Sequence, residues 1–449
     1  MKYPRYPKYQ DSGVAWLGEV PEGWEVKYIK RLSPVQRGAS PRPIEDPKYF
    51  DDDGEFAWVR IADVSSSSGF LRETTQRLSP LGSSLSVKIK PGDLFVSIAG
   101  SVGKPCIAGI KACIHDGFVY FPLLTNEQKF LFYIFDASFC YGGLGKFGTQ
   151  LNLNTNTVGA ISIACPPQNE QQTIITFLDH NCAKIDALIA EQEKLIALLR
   201  EKRQTVISHA VTKGLNPAAP MKDSGVEWLG KVPSRWEMVP LKKSVTYLEG
   251  PGILANDFCV DGIPLIRISG VKDEFVTLDG ANFLNPDIVE NKWAHFKLQY
   301  GDYLISGSAS TGLCSKVNNI SVGSIPYTGL IIVRPKESIA SDYIPIFFSS
   351  RMFFEQITIL QAGSTIQHFG PSHLAKMFIV LPPENEQFAI IQFVRDQTAK
   401  IDTLIAESKQ AVVLLKERRS ALISAAVTGK IDVRNICPNK GLHSMRTEL

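Results

Sequence analysis

A long internal repeat constrains this chain more than any other feature. Asp11-Ser12-Gly13-Val14-Ala15-Trp16-Leu17-Gly18 returns in the second half as Asp223-Ser224-Gly225-Val226-Glu227-Trp228-Leu229-Gly230, and each copy runs through Val-Pro to a tryptophan, Trp24 or Trp236. A second match carries the stretch opening Pro166-Pro167-Gln168-Asn169-Glu170-Gln171 onto Pro382-Pro383-Glu384-Asn385-Glu386-Gln387, with about half of the positions identical through Thr212 and Thr428. Between these only fragments agree, such as Val59-Arg60-Ile61 with Ile266-Arg267-Ile268 and Gly92-Asp93 with Gly301-Asp302. A length of 449 residues at roughly 150 per domain would suggest about three domains. The repeat overrides that count: one unit is built twice, each a divergent body closed by a similar tail.

The tails read as helices. Pro166-Pro167 and Pro382-Pro383 stop whatever precedes them, Asn169 and Asn385 are the expected N-caps, and Glu170 and Glu386 suit a first turn. Neither Pro nor Gly then occurs before Gly214 or Gly429, which allows about 40 residues of helix, or about 60 Å. A break is expected near Asp179 to Cys182, where the apolar pattern pauses. Ile185, Leu188, Leu195 and Leu199, matched by Ile401, Leu404, Ala411 and Leu415, form an a/d seam widened by Ile189 and Ile196 or by Ile405 and Val412. Two such seams in one chain predict an antiparallel coiled-coil pair with an internal pseudo-two-fold axis.

The bodies read as α+β. Runs such as Asp93 to Ile98, Tyr303 to Ser306 and Gly329 to Val333 have strand character, whereas Phe130 to Phe139 and Tyr343 to Ile359 are apolar and helical. The expected order is a first body at 1–165, a helix at 166–215, a second body at 216–381, a helix at 382–432 and a polar tail at 433–449.

Charge limits the function. The 48 basic and 45 acidic residues leave a net +3, so nucleic acid is not held by bulk charge alone. Hydrophobic residues at 44% exclude a disordered chain. The cysteines at 106, 113, 140, 165, 182, 259, 314 and 437 lack zinc-site spacing and read as free thiols of a reducing compartment. With no apolar segment after the first charges and no run of about 18 apolar residues, the expectation is a soluble cytoplasmic protein.

Taken together, the D-S-G-V-x-W-L-G-x-V-P-x-x-W openings, the PPxNEQ helix entries, the AKID-x-LIAE cores and the I-S-x-A-V-T exits resemble the DNA-specificity subunit of Type I restriction-modification systems, over nearly the whole chain. The resemblance implies a non-catalytic reader with two target recognition domains, each reading one part of a split double-stranded DNA target. It also implies helices that set the spacing, dock two copies of an adenine-N6 methyltransferase subunit, and form with them the core to which restriction/translocase subunits bind. Because the two bodies differ, the half-targets are expected to differ.

Catalytic motifs fail one by one, and no cofactor or metal is expected. The two Pro-Pro pairs lack the polar residue and aromatic of a methyltransferase motif. Ala99-Gly100-Ser101-Val102-Gly103-Lys104-Pro105 has Ala and Pro where a phosphate loop needs Gly and Ser or Thr. Asp116 with Glu127-Gln128-Lys129 mimics a nuclease carboxylate pair but has no further ligands, and the seven histidines form no ligand set.

DNA contacts call for Arg, Lys, Asn, Gln or small hydroxyls on loops. In the first body the candidates are Arg37, Ser40, Arg42, Ser101, Lys104, Lys146, Thr149 and Gln150. In the second they are Lys242, Lys243, Ser308, Thr311, Lys316, Thr365, Gln367 and His368. Arg60 and Arg267 occupy matching places, which favours a shared structural role over base reading. Two rivals stand beside this reading: an enzyme that acts on DNA alone, and a helix-pair scaffold with two peptide- or ligand-binding modules and no DNA role.

Overall fold

A computed structural model describes residues 3–142, 144, 153–272, 274–307, 313–361 and 369–436. The chain divides into two compact units, Met1–Gln192 with Gln410–Leu449, and Glu193–Lys409. Two long helices, Gln168–Lys213 and Glu384–Val427, each contribute one half to either unit.

Both helices start one residue before the expected N-caps. Pro167 O accepts the amides of Glu170 and Gln171, and Pro383 O those of Glu386 and Gln387, so Asn169 and Asn385 lie inside the first turn. The expected break at Asp179 to Cys182 is absent. Asp179 accepts from Lys129 Nζ (2.5 Å) and Tyr133 Oη (2.6 Å), and Cys182 is buried, so the polar pause is a docking point within a continuous helix.

The helices pair antiparallel. In the first unit Arg419 Nε donates to Asp186 (2.8 Å), and in the second Arg203 Nε donates to Asp402 (3.0 Å); the step forward from Asp186 to Arg203 on one helix equals the step back from Arg419 to Asp402 on the other. The tail repeat, which sets Arg203 against Arg419 and Asp186 against Asp402, converts either pair into the other. The seam itself needs correcting. Ile185, Leu199 and Ile401 are buried and Ala411 and Leu415 half-buried, but Leu188, Leu195 and Leu404 are exposed. The buried and half-buried line runs through Ile185, Ile189, Gln192, Ile196 and Leu199, and through Ile401, Ile405, Ser408, Val412 and Leu415. Its alternating steps of four and three keep one side inward, whereas a step of three followed by seven swings off the seam.

Each body carries two main sheets. In the first, a five-stranded sheet has the order Gln36–Arg37, Phe118–Tyr120, Leu94–Ser97, Pro105–Ala108, Phe70–Leu71. Its neighbour has the order Arg77–Leu78, Phe56–Val59, Ala112–Ile114, Val87–Ile89. The second body repeats the leading four strands of the larger sheet as Val245–Glu249, Leu330–Pro335, Tyr303–Ser306 and Cys314–Lys316. It also repeats a parallel pair, Ile263–Ile266 with Ile325–Pro326, corresponding to Phe56–Val59 with Ala112–Ile114. The repeat therefore reaches through regions where sequence likeness is nearly lost.

The exit motif is a core element. Ile207, Ala210 and Val211 pack into the core of the second body with Trp236, Phe347 and Phe353, and Ile423, Ala426 and Val427 pack into that of the first with Trp24, Phe130 and Phe177. Each helix end thus completes a body, the C-terminal one returning to the first. Asp432 N–H bonds Pro4 O (2.8 Å), and the Arg434 guanidinium covers the Tyr6 ring at 4.6 Å.

Candidate nucleic-acid interface

Strand direction sorts the candidates. In the first body three loops gather where Gln36–Arg37 and Leu94–Ser97 end and Phe118–Tyr120 begins. Gly38 N–H bonds Phe118 O (3.0 Å), Ala39 N–H bonds Ile114 O (3.1 Å), and Ile98 N–H bonds Gly117 O (2.8 Å). Gly38 is required here, since a Cβ would sit 2.1 Å from His115 O.

Asp116, at the tip of one loop, organises the basic one. Arg37 Nε donates to its backbone oxygen, Ser40 Oγ to Oδ1 (3.1 Å) and Arg42 to Oδ2 (3.0 Å). Burial pushes the Asp116 carboxyl up, but the Ser40 hydrogen bond and the Arg42 and Arg37 charges outweigh it and hold it below the ordinary carboxylate value. Two guanidiniums thus gather on Asp116, Arg37 on its backbone oxygen and Arg42 on its carboxylate, and their charges exceed its single negative one. The Arg42 side chain remains 74% exposed, enough to meet a phosphate or a guanine edge. Sequence reasoning weighed Asp116 only as a metal mimic; its position between two short strand patterns was the available signal. Among the described residues no cluster of His, Cys, Asp and Glu is arranged to hold a metal ion.

Ser101 and Lys104 lie on the hairpin joining Leu94–Ser97 to Pro105–Ala108. Ser101 Oγ meets Ser65 Oγ (2.7 Å), and Lys104 Nζ donates to the carbonyls of Ser65 (2.8 Å) and Ser67 (3.3 Å), at the end of the short helix Ile61–Ser66. The Gly-rich run leads into a strand, whereas a phosphate loop leads into a helix, so its glycines serve the turn. Gly103 has φ +85° and lies against Tyr141, whose hydroxyl donates to Gly103 O (2.8 Å). Lys146, Thr149 and Gln150 lie outside the described residues.

The second body has the same loop junction with different chemistry. Gly250 stands to Gly38 as Asp223 stands to Asp11, and it is as tightly placed, with a Cβ 2.3 Å from Pro326 O. The residue before it is Glu249, where the first body has Arg37. Ser308, Thr311, Thr365, Gln367 and His368 lie outside the described residues; their neighbours Gly307 and Phe369 bond to each other at 2.9 Å.

Three candidates do not belong to the rim. Lys242 and Lys243 occupy the turn Leu241–Ser244, at the opposite end of Val245–Glu249 from Gly250, about 16 Å away along the strand. They match Lys30 and Arg31 in the first body, so they carry nothing that distinguishes the two. Lys316 also lies at the far end of its strand, donating to Asp342 Oδ1 (2.6 Å) beside the helix pair. Arg60 and Arg267 are tied into their own bodies: Arg60 bonds Thr75 and pairs with Asp63, while Arg267 bonds Asn282 (2.9 Å) and covers Tyr327 at 4.7 Å.

Comparisons with known proteins agree with this architecture. The family model described as "Type I restriction modification DNA specificity domain" matches twice, over residues 21–197 and 233–413. The chain belongs to this family, and it is a specificity chain rather than a catalytic one. It is 22% identical over 432 residues to the Type I restriction enzyme MjaVIII specificity subunit of Methanocaldococcus jannaschii, covering 93% of this chain and 95% of that protein. It is 24% identical over 450 residues to the Type I restriction enzyme EcoKI specificity subunit of Escherichia coli (strain K12), covering 95% and 93%. A solved chain, described under complex assembly and conformational transition of the type I R-M system, shares the fold. Its TM-score is 0.68 at 17% identity, covering 91% of this chain and 98% of that one.

Proposed function

We propose that this chain acts in the cytoplasm as the specificity subunit of a Type I restriction-modification enzyme, reading a bipartite, asymmetric double-stranded DNA target with one body per half. The observation that carries this reading is the pair of equivalent rims with unequal chemistry, Arg37-Gly38 against Glu249-Gly250, on a helix pair whose contacts repeat. Equal frames give both bodies one docking geometry, and unequal rims give them different bases to read.

In this reading the helices dock two copies of an adenine-N6 methyltransferase subunit, with restriction/translocase subunits bound to that core. Each unit presents an exposed pair of leucines on its helices, Leu188 and Leu414 in the first and Leu198 and Leu404 in the second, all 48–54% exposed. The tail repeat turns one pair into the other, Leu188 into Leu404 and Leu198 into Leu414, which supports two equivalent partners. With 18 basic and 16 acidic residues in 1–165, and 14 and 15 in 216–381, neither body is a basic patch, so the methyltransferase completes the grip. Co-expression with a cognate methyltransferase, followed by mapping of methylated adenines, tests the reading. Two different half-sites separated by unspecified bases are expected; methylation at a symmetric or undivided motif contradicts it.

A further inference from the structure

Each body is seated on the helix pair through an ion pair whose polarity is reversed between the units. The seats align through a glutamine of the repeated helix entry: Gln171 accepts the Glu127 amide (3.2 Å), and its counterpart Gln387 accepts the Ala340 amide (2.7 Å). Two residues beyond those amides stand Lys129 and Asp342. Opposite them on the long helices stand Asp179 and Arg395, which the tail repeat again makes equivalent. Lys129 Nζ lies 2.5 Å from Asp179, and Arg395 lies 3.3 Å from Asp342. The body supplies the cation in the first unit and the anion in the second. Each anion has further support, Asp179 from Tyr133 Oη (2.6 Å) and Asp342 from Lys316 Nζ (2.6 Å) and Tyr303 Oη (3.0 Å).

We propose that residues 129/179 and 342/395 form an address code that matches each body to the helix it precedes, so that the bodies are not interchangeable between the two positions. On the second seat a body of the first kind would set Lys129 against Arg395. On the first seat a body of the second kind would set Asp342 against Asp179, a repulsion that the accompanying Lys316 only partly offsets. Such like-charge contacts discriminate by repulsion, the component of specificity that attractive contacts do not supply. The first pair is only partly exposed, at 33% and 38% for Lys129 and Asp179, so water screens it incompletely, whereas Arg395 and Asp342 are 63% and 41% exposed and more fully screened. The code rests on the proposed reading for its consequence alone, since it fixes which half-target belongs to which position; the charges act whether or not DNA is bound.

The test uses the full-length chain and amide hydrogen exchange over residues 128–136, with 343–348 as the internal reference. Asp179→Arg is expected to speed exchange over 128–136 about fivefold, the factor a modest repulsion gives, and to leave 343–348 unchanged. Lys129→Asp combined with Asp179→Arg, which writes the second code onto the first seat, is expected to return exchange to within about twofold of native. Asp179→Asn, which keeps an acceptor for Tyr133, separates lost charge from a lost hydrogen bond and is expected to fall between. If Asp179→Arg fails to fold, the cycle of Asp179→Asn with Lys129→Gln replaces it, and non-additive effects are expected. Native-like exchange in Asp179→Arg, a double variant as fast as Asp179→Arg alone, or an additive cycle overturns the proposal. None of these outcomes depends on DNA binding, so failure here is distinct from failure of the functional reading.

Discussion

Arg419 and Arg203 occupy equivalent places in the two copies of the tail, yet their surroundings differ. Arg419 is held by two carboxylates, Asp186 at 2.8 Å on the facing helix and Asp136 at 2.6 Å on the first body. Arg203 keeps the helix partner, Asp402 at 3.0 Å, but among the described residues no carboxylate of the second body reaches it. The neighbouring Gln204 donates to the Ser349 carbonyl (2.9 Å), as its counterpart Ser420 donates to the Ala137 carbonyl (3.4 Å). Helix-to-helix ion pairs are thus kept between the copies, while the charged helix-to-body contacts differ. At the rims the change goes further, from Arg37 to Glu249 beside equivalent glycines. The molecule keeps its frame constant and varies what the frame carries.

The seam provides the largest contrast. Ile185 is buried and Leu188, one turn on, is 52% exposed. Ile185→Ala should cost about 2–4 kcal/mol of stability and Leu188→Ala within about 0.5 kcal/mol. Urea unfolding checks both; equal costs would restore Leu188 to the seam. Leu188→Ala should instead weaken capture of the methyltransferase partner.

A smaller effect separates the two arginines. At Arg419 burial disfavours the charge, but Asp136 and Asp186 outweigh it and hold the guanidinium more firmly protonated than usual. Removing it leaves two carboxylates without their cation. Arg419→Ala should destabilise the first unit by about 2–3 kcal/mol, and Arg203→Ala should destabilise the second by about 0.5 kcal/mol. Local exchange on each unit distinguishes them, and equal losses would mean that Asp136 adds nothing.

Much of the frame was legible beforehand, because a Pro- and Gly-free periodic stretch between two punctuation points has few alternatives to a helix. The seam was half legible for a geometric reason: Ile185 and Leu199 mark the same two heptads whether one steps through Leu188 and Leu195 or through Ile189 and Ile196. Only packing decides between those paths. The common strand order was hidden because a sheet is defined by pairing between distant segments, such as Ala112–Ile114 with Phe56–Val59, which no local pattern records. At the rim, Arg37, Ser40 and Arg42 were visible as a basic loop, but Asp116, whose backbone oxygen and carboxylate gather them, lies far along the chain. Lys316 looked like a free loop cation until the fold set it beside Asp342.

A pH dependence is also expected at the first rim. The Asp116 carboxyl is depressed in the folded chain, so its stabilising contribution is full above the ordinary carboxylate pKa and is lost as pH falls through the lower, folded value. Because the group is partly exposed, the effect is on the order of 0.5 kcal/mol. Exchange over residues 36–42 should rise as pH falls through that range, after correction for intrinsic rates, and Asp116→Asn should remove the rise. A rise that survives Asp116→Asn would assign the loop's anchoring to another group.

In the proposed function a constant frame carries two independent readers. Replacing residues 1–165 with the first body of another family member, and mapping methylated adenines made with the same methyltransferase, tests it most directly. One half of the target is expected to change while the other half and the spacing between them stay fixed. A change in both halves, or in the spacing, would show that the two bodies do not read independently.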